Sequence, residues 1–275
     1  MRPETSARWH PSPALRMSAW LHAGALGVTL AQPQLWPWTV AAVAANHALL
    51  AGAGFLPRSH WLGPNWTRLP AAAARRGEVA ITIDDGPNPE ITPQVLDLLD
   101  RYHARATFFV IGTHVQRHFE LAREVAQRGH SLENHSYRHP GYFSALGPRR
   151  LRAEVQAAQD IIASASGVTP HFFRAPAGLR NPLLEPVLAP LGLRLASWTR
   201  RGFDTLNRSA DTVLRTLTKG LAGGDILLLH DGNAGNSSRN GRPIILEVLP
   251  PLLERLAQAG LTPVTLRAAH TADAT

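Results

Sequence analysis

The sequence predicts an α/β fold, a distorted (β/α) barrel of about seven strands, with an apolar helical segment ahead of it. Three observations carry this. From about residue 78 to 267, short β-rich runs alternate with runs of helical spacing, a pattern that builds a parallel sheet with helices outside. Gly129, Gly192 and Gly260 fall just past three of the helical runs, where helix caps belong. The polar motifs sit at the ends of the strand-like runs, where a barrel gathers its chemistry. A closed or nearly closed barrel is the first arrangement this alternation supports, and a doubly wound sheet is the second.

Residues 1–16 carry Arg2, Arg8 and Arg16 with two prolines beyond Pro3 and read as loose. From Met17 to Leu56 there is no Asp, Glu, Lys or Arg. Forty such residues, broken by Gln32-Pro33-Gln34, would make two membrane spans of about twenty residues each. Trp20, Trp36 and Trp38 stand near the starts of the two halves, where interfacial aromatics belong. The segment therefore reads as a membrane anchor of one or two spans in a bacterial-type inner membrane. His22, Asn46 and His47 lower its hydropathy, and the competing reading is a soluble helical hairpin buried on the domain. Two spans place Arg2, Arg8 and Arg16 on the same side as Arg58, Arg68, Arg75 and Arg76, which points to a cytoplasmic domain. One span leaves both flanks basic, so the membrane face stays open.

A polar connector follows at 57–77, then a globular domain at 78–267 and a tail at 268–275. Strands are expected at 79–83, 106–111, 130–134, 171–174, 193–198, 225–230 and 262–266. Helices are expected at 91–102, 115–128, 147–165, 182–191, 211–222 and 244–259. Val95, Leu96, Leu98 and Leu99 lie at helical spacing, as do Leu246, Leu249, Leu252, Leu253 and Leu256. Pro250-Pro251 predicts a kink in the last helix or its start there.

With 44% apolar residues, the chain can bury a large core and does not read as disordered. The net charge is +8 and the pI about 11.1, yet the basic residues are scattered arginines, with Lys219 the only lysine. No continuous basic stripe supports nucleic-acid binding. An anionic membrane surface or an anionic lipid-linked substrate suits the charge as well. There is no cysteine, so any metal must be held by His, Asp or Glu.

Five motifs carry the chemistry. In Ile81-Thr82-Ile83-Asp84-Asp85-Gly86-Pro87-Asn88, two carboxylates follow a strand and point in different directions. One can hold a metal while the other acts as a base. In Asn134-His135-Ser136-Tyr137-Arg138-His139-Pro140, a helical turn or a tight loop puts both imidazoles on one side. Two imidazoles and one carboxylate make a three-ligand set with room for water and substrate. Arg174, in Phe172-Phe173-Arg174-Ala175-Pro176-Ala177-Gly178, can pair with a carboxylate and keep it ionised. In Trp198-Thr199-Arg200-Arg201-Gly202-Phe203-Asp204, Trp198 can wall a sugar site and Asp204 can orient a histidine. The apolar strand ending at His230 delivers a general acid to the barrel mouth.

This ordered set resembles the polysaccharide deacetylase family, the NodB-homology domain of carbohydrate esterase family 4, over about residues 78–267. The resemblance implies a distorted β/α barrel that hydrolyses the N-acetyl, or N-formyl, amide of an amino sugar. It makes Asp84 the base, Asp85, His135 and His139 the metal ligands, and Arg174 the residue that tunes Asp84. His230 becomes the general acid and Asp204 the carboxylate that orients it. The oxyanion is then expected at the metal and a backbone N–H near Ala177, with Trp198 against the sugar. The cofactor implied is one divalent ion, zinc first, with cobalt, nickel or manganese as substitutes. Two departures widen the expected site: Ala177 stands where many members carry tyrosine, and the fourth motif lacks a second tryptophan, with Phe203 nearby. The apolar N-terminus favours a cell-envelope polysaccharide or lipid-linked glycan as partner. The alternatives are deformylation of a lipid-linked amino sugar, a non-sugar amide or imide hydrolase on the same scaffold, and a membrane-anchored glycan binder without activity.

Overall fold

The computed structural model describes residues 9–206, 209–233 and 235–271. Arg2 and Arg8 and the end of the tail lie outside them. The stretch 1–16, expected to be loose, is instead helical from Pro13, where the Ser12 hydroxyl accepts from the Leu15 N–H and caps the first helix. That helix, α1 (Pro13–Ala31), and α2 (Trp36–Gly54) form a hairpin around Gln32–Leu35.

The hairpin's polar side chains face each other. Asn46 donates to Ser18 at 2.8 Å, His22 and His47 share a hydrogen bond at 3.2 Å, and the Thr29 and Thr39 hydroxyls meet at 2.8 Å. Its large apolar side chains point outward, among them Trp20, Leu30, Trp36 and Trp38. Among the described residues, no helix is long and apolar enough to cross a membrane. The expected membrane spans are corrected on that ground. The polar seam explains it, because Ser18, His22, Thr29, Thr39, Asn46 and His47 displace apolar residues from both helices. The alternative of a hairpin buried on the domain fails too. Only its root packs, with Leu15, Leu50 and Ala53 against Leu62, and Arg180 N–H bonded to the Gly54 carbonyl.

After the short α3 (Ala71–Arg75), the chain alternates as expected: β1 (Glu78–Asp84), α4 (Thr92–Arg101), β2 (Ala106–Val110), α5 (Gly112–Arg117), α6 (Phe119–Gln127), β3 (Ser131–Asn134), α7 (Pro148–Ser166), β4 (Phe172–Phe173), α8 (Glu185–Leu188), β5 (Arg194–Leu195), β6 (Arg200–Arg201), α9 (Ala210–Thr218), β7 (Ile226–His230), α10 (Ile244–Gln258), β8 (Thr262–Pro263) and α11 (Leu266–Thr271). Every strand pair is parallel, in the order β5-β4-β3-β2-β1-β7-β6, with β8 beside β1. No pairing joins β5 to β6 among the described residues, so the sheet is a curled half-barrel and not a closed one. The central strands β1, β2 and β7 are buried almost throughout, as a parallel sheet covered on both faces requires. Val95, Leu96 and Leu99 of α4 and Leu249, Leu252, Leu253 and Leu256 of α10 pack on them from outside.

Several expected strands are shorter than the sequence suggests. The runs 171–174, 193–198 and 262–266 shrink to two residues each, and β6 was not expected. Beyond β5 the connector supplies the hydrogen bonds: Trp66 N–H donates to the Leu195 carbonyl, and Ser197 N–H to the Trp66 carbonyl. The helix expected over 115–128 divides at His118, and the one over 182–191 is reduced to α8 and a 3-10 turn. Pro250 and Pro251 sit inside a continuous α10. Their missing N–H groups weaken the helix locally, but its buried leucine face holds it against the sheet.

Candidate active site

The site forms where β1, β3, β4 and β7 end. Asp84 closes β1, and Asp85 turns away with φ 74°, a left-handed conformation that sends the two carboxylates apart. Only glycine fits opposite that turn, because a Cβ on Gly232 would lie 2.2 Å from the Asp85 carbonyl oxygen. Arg174 Nη1 donates to Asp84 Oδ1 at 2.6 Å. The guanidinium is 1% exposed and also donates to the Thr82 hydroxyl and to the Ser197 and Ala196 carbonyls, over the Phe109 ring. A buried charge needs such full pairing, and the pairing fixes which Asp84 oxygen remains for chemistry.

The segment from His135 to His139 is a tight loop, with Ser136 and His139 at positive φ and the Ser136 N–H bonded to Asn134 Oδ1. It brings His135 Nε2 to 3.3 Å and His139 Nε2 to 3.5 Å from Asp85 Oδ1. The three ligand atoms lie within 4.8 Å of one another. His135 Nδ1 is 2.8 Å from the Arg174 carbonyl oxygen. A carbonyl only accepts, so Nδ1 carries the proton and Nε2 presents its lone pair inward. Asp85 Oδ1 is buried and receives no hydrogen bond, and two nitrogens face it. An orphaned carboxylate oxygen between two imidazoles fits a divalent cation.

Two of the three groups, Asp85 and His139, are in the ligand form near pH 7. Burial pushes the Asp85 carboxyl up, but the neighbouring His135, with His230 and His139, outweighs it and holds Asp85 well below the usual carboxylate range. Burial, the largest cause, pushes His139 down to about 4, so it is neutral, the ligand form, near pH 7.

His230 ends β7, paired in register with Asp84. Asp204 is fully buried and grips it twice, accepting from the His230 backbone N–H at 2.8 Å and from Nδ1 at 2.9 Å. His230 Nε2 is the nitrogen left for substrate. Burial acts against the charged imidazole, but the hydrogen bond and charge of Asp204, then Asp84 and Asp85, overcome it and raise His230 above the ordinary histidine value.

One cavity of about 220 Å³ is lined by Asp84, Asp85, His135, His139, Ala177, Trp198 and His230, while Arg174 and Asp204 lie behind it. All nine sequence-expected residues are thus brought together. Ala177 takes φ 55°, unusual for alanine, at the cavity rim. Gly178 is needed beside it, since a Cβ there would come within 2.6 Å of the Trp198 ring. Arg201, Thr205 and Asn233 also line the cavity and were not singled out from sequence. Asn233 Nδ2 donates to Asp85 Oδ2 at 3.0 Å, leaving Oδ1 for the histidines. Its place three residues after His230 was the available signal. Phe203 is 45% exposed and stacks on Arg201 instead of lining the cavity.

A family model described as polysaccharide deacetylase matches residues 71–196. A peptidoglycan-N-acetylglucosamine deacetylase of Bacillus cereus is 36% identical over 176 residues, covering 63% of this chain and 81% of the relative. A chitooligosaccharide deacetylase of a Bradyrhizobium species is 35% identical over 181 residues, covering 62% and 82%. The solved family 4 carbohydrate esterase of Streptomyces lividans in complex with acetate superposes with a TM-score of 0.62 at 33% identity, covering 68% of this chain and 91% of that one. On sequence, fold and a gathered set of family motifs, the chain belongs to the polysaccharide deacetylase family.

Proposed function

We propose that this chain is a metal-dependent amide hydrolase that removes the N-acetyl group from an amino sugar of a cell-envelope glycan. The observation that carries the reading is the single cavity where an Arg174-clamped Asp84, the Asp85-His135-His139 trio and an Asp204-backed His230 converge. Asp85, His135 and His139 would hold the ion, with zinc the first choice for two imidazoles and a carboxylate, and cobalt, nickel or manganese compatible. When bound, the ion polarises the amide carbonyl and makes water easier to deprotonate.

The chain's own groups supply the rest. Asp84 Oδ1 is taken by Arg174, so Oδ2 accepts the proton of the attacking water. The Ala177 backbone N–H, on the cavity rim, stabilises the oxyanion as it forms. His230 Nε2 gives its proton to the departing nitrogen as the carbon–nitrogen bond breaks. The products are acetate and a free amino sugar. The purified chain, incubated with N-acetylated and N-formylated amino-sugar oligomers, should release acid that chelator stops and added divalent metal restores. No acid from any oligomer, at about one metal per chain, would defeat the reading.

The protonation of His230 adds a pH prediction. A raised acid stays protonated to higher pH, so kcat falls only as pH climbs through that raised value. Asp204→Asn removes the first-named support, so its alkaline limb should move to lower pH and its kcat should fall by about tenfold or more. An unmoved limb would show that Asp204 does not set the acid.

We further place the apolar hairpin at a lipid surface, without crossing it. Among the described residues, twelve of the eighteen exposed large hydrophobics lie between Trp9 and Leu56, and apolar exposure concentrated in that way marks an interaction face. The polar groups turned inward and the arginines flanking the uncharged stretch suit an anionic bilayer. The full chain should float with vesicles containing phosphatidylglycerol, and Trp36→Glu with Trp38→Glu should cut the bound fraction about tenfold. Protein that stays in the aqueous layer, or that self-associates through the hairpin without binding vesicles, would remove this placement.

A further inference from the structure

Arg200 and Arg201 are neighbours on β6 with opposite fates. Adjacent residues of a strand face opposite sides of the sheet. Arg200 is spent on structure: its Nε bonds Asp225, and its two Nη groups bond the Lys219 and Gly220 carbonyls. Arg201 turns to the other face and lines the catalytic cavity with Asp84 and His230. Its Nε is buried and has no hydrogen-bond partner. Among the described residues it forms no ion pair.

The guanidinium is held in place by stacking. Its central carbon lies 5.4 Å from the Trp198 ring centroid and 5.2 Å from that of Phe203. Such stacking orients a guanidinium while leaving its edge donors free. Arg201 is half-buried, so its charge is only partly solvated. A fixed, partly desolvated cation with unused donors, in the wall of a reaction cavity, matches an anionic oxygen pair. Arg174 does not compete for that role, because its donors are used on Asp84, Thr82, Ser197 and Ala196.

We infer that Arg201 is a specificity-determining residue that selects amino-sugar substrates carrying an anionic group, a carboxylate or a phosphate, close to the N-acetyl group. The inference rests on the deacetylase reading above and narrows its substrate class. The geometry gives the anion a place at the cavity edge beside the Arg201 guanidinium, while the amide reaches Asp84 and His230. Ala177, with only a methyl side chain on the cavity rim, leaves room for a substituent beside the acylated sugar.

The test compares three N-acetylated oligomers of equal length: neutral, carboxylate-bearing and phosphate-bearing. Wild-type protein should favour one or both anionic oligomers in kcat/KM, and the two anionic arms tell carboxylate from phosphate. Arg201→Gln should lower the anionic-to-neutral ratio by roughly 10- to 100-fold, the worth of a hydrogen-bonded charge contact. Arg201→Lys keeps the charge and should restore part of the ratio, which a purely structural role for Arg201 would not produce. Thermal melts of both variants check folding. A ratio that stays the same in Arg201→Gln, or a wild-type protein without anionic preference, overturns the inference. Calorimetric binding of the anionic oligomers separates the two failures. Binding that weakens in Arg201→Gln without any acid release keeps Arg201's role and sinks the deacetylase reading. Equal binding by both proteins sinks Arg201's role itself.

Discussion

Asp84→Asn should lose at least about a thousandfold in kcat, near the upper range for removing a general base, while keeping its metal. Asparagine matches aspartate in shape, and its carbonyl oxygen can still accept from Arg174. It cannot take a proton from water. The three residues assigned to the ion, Asp85, His135 and His139, are untouched. Metal content measured on the purified variant should therefore equal that of wild type. The substitution also leaves Arg174, 1% exposed, beside a neutral amide. A buried cation deprived of its countercharge destabilises by about 3–5 kcal/mol, so the variant should melt several degrees lower. Activity within tenfold of wild type would mean that another group accepts the proton. Normal metal with lost activity would separate the base from the ligand set, and lost metal would show that Asp84 belongs to that set.

Much of this site was legible because its parts are local words in the sequence. Asp84-Asp85, His135 with His139, and His230 each lie at the end of a buried strand, and strand ends are where a parallel α/β sheet collects its polar groups. The central strands were legible for a related reason. Ile81, Ile83 and the leucines of β7 are buried on both faces, so burial and β propensity agree there. The edge strands were not, because β4 and β5 are two residues long and β5 draws its remaining hydrogen bonds from Trp66 of the connector. That contact spans more than a hundred residues and leaves no local trace.

The hairpin shows a different limit. Its missing charges suggested membrane spans, but charge counting could not see that Ser18 meets Asn46 and His22 meets His47 across the hairpin. Helical spacing tells which residues share a face, not which face meets a neighbouring helix. Arg201 escaped for the same reason. Its pair with Arg200 reads as one basic dipeptide, and only the strand geometry sends one arginine to Asp225 and the other to the cavity.

His135→Ala should lose metal and activity together. Removing an inner ligand leaves Asp85 and His139, and two donors cannot hold a divalent ion as three do. Since disturbing only the partners of ligands costs about 10–100-fold in affinity, loss of His135 itself should exceed that range. Metal per chain should fall from about one to near zero after dialysis, and acid release should fall to background unless metal is supplied in large excess. The ring also donates through Nδ1 to the Arg174 carbonyl, so the variant loses a tether between β3 and β4 as well. His135→Gln separates the two effects, because its amide can still donate to that carbonyl but offers a poor ligand atom. Near-wild-type melting with absent metal in His135→Gln would assign His135 chiefly to the ion. Full metal occupancy in His135→Ala would instead remove His135 from the ligand set and require Asp84, whose Oδ2 lies 3.8 Å from His135 Nε2, to take its place.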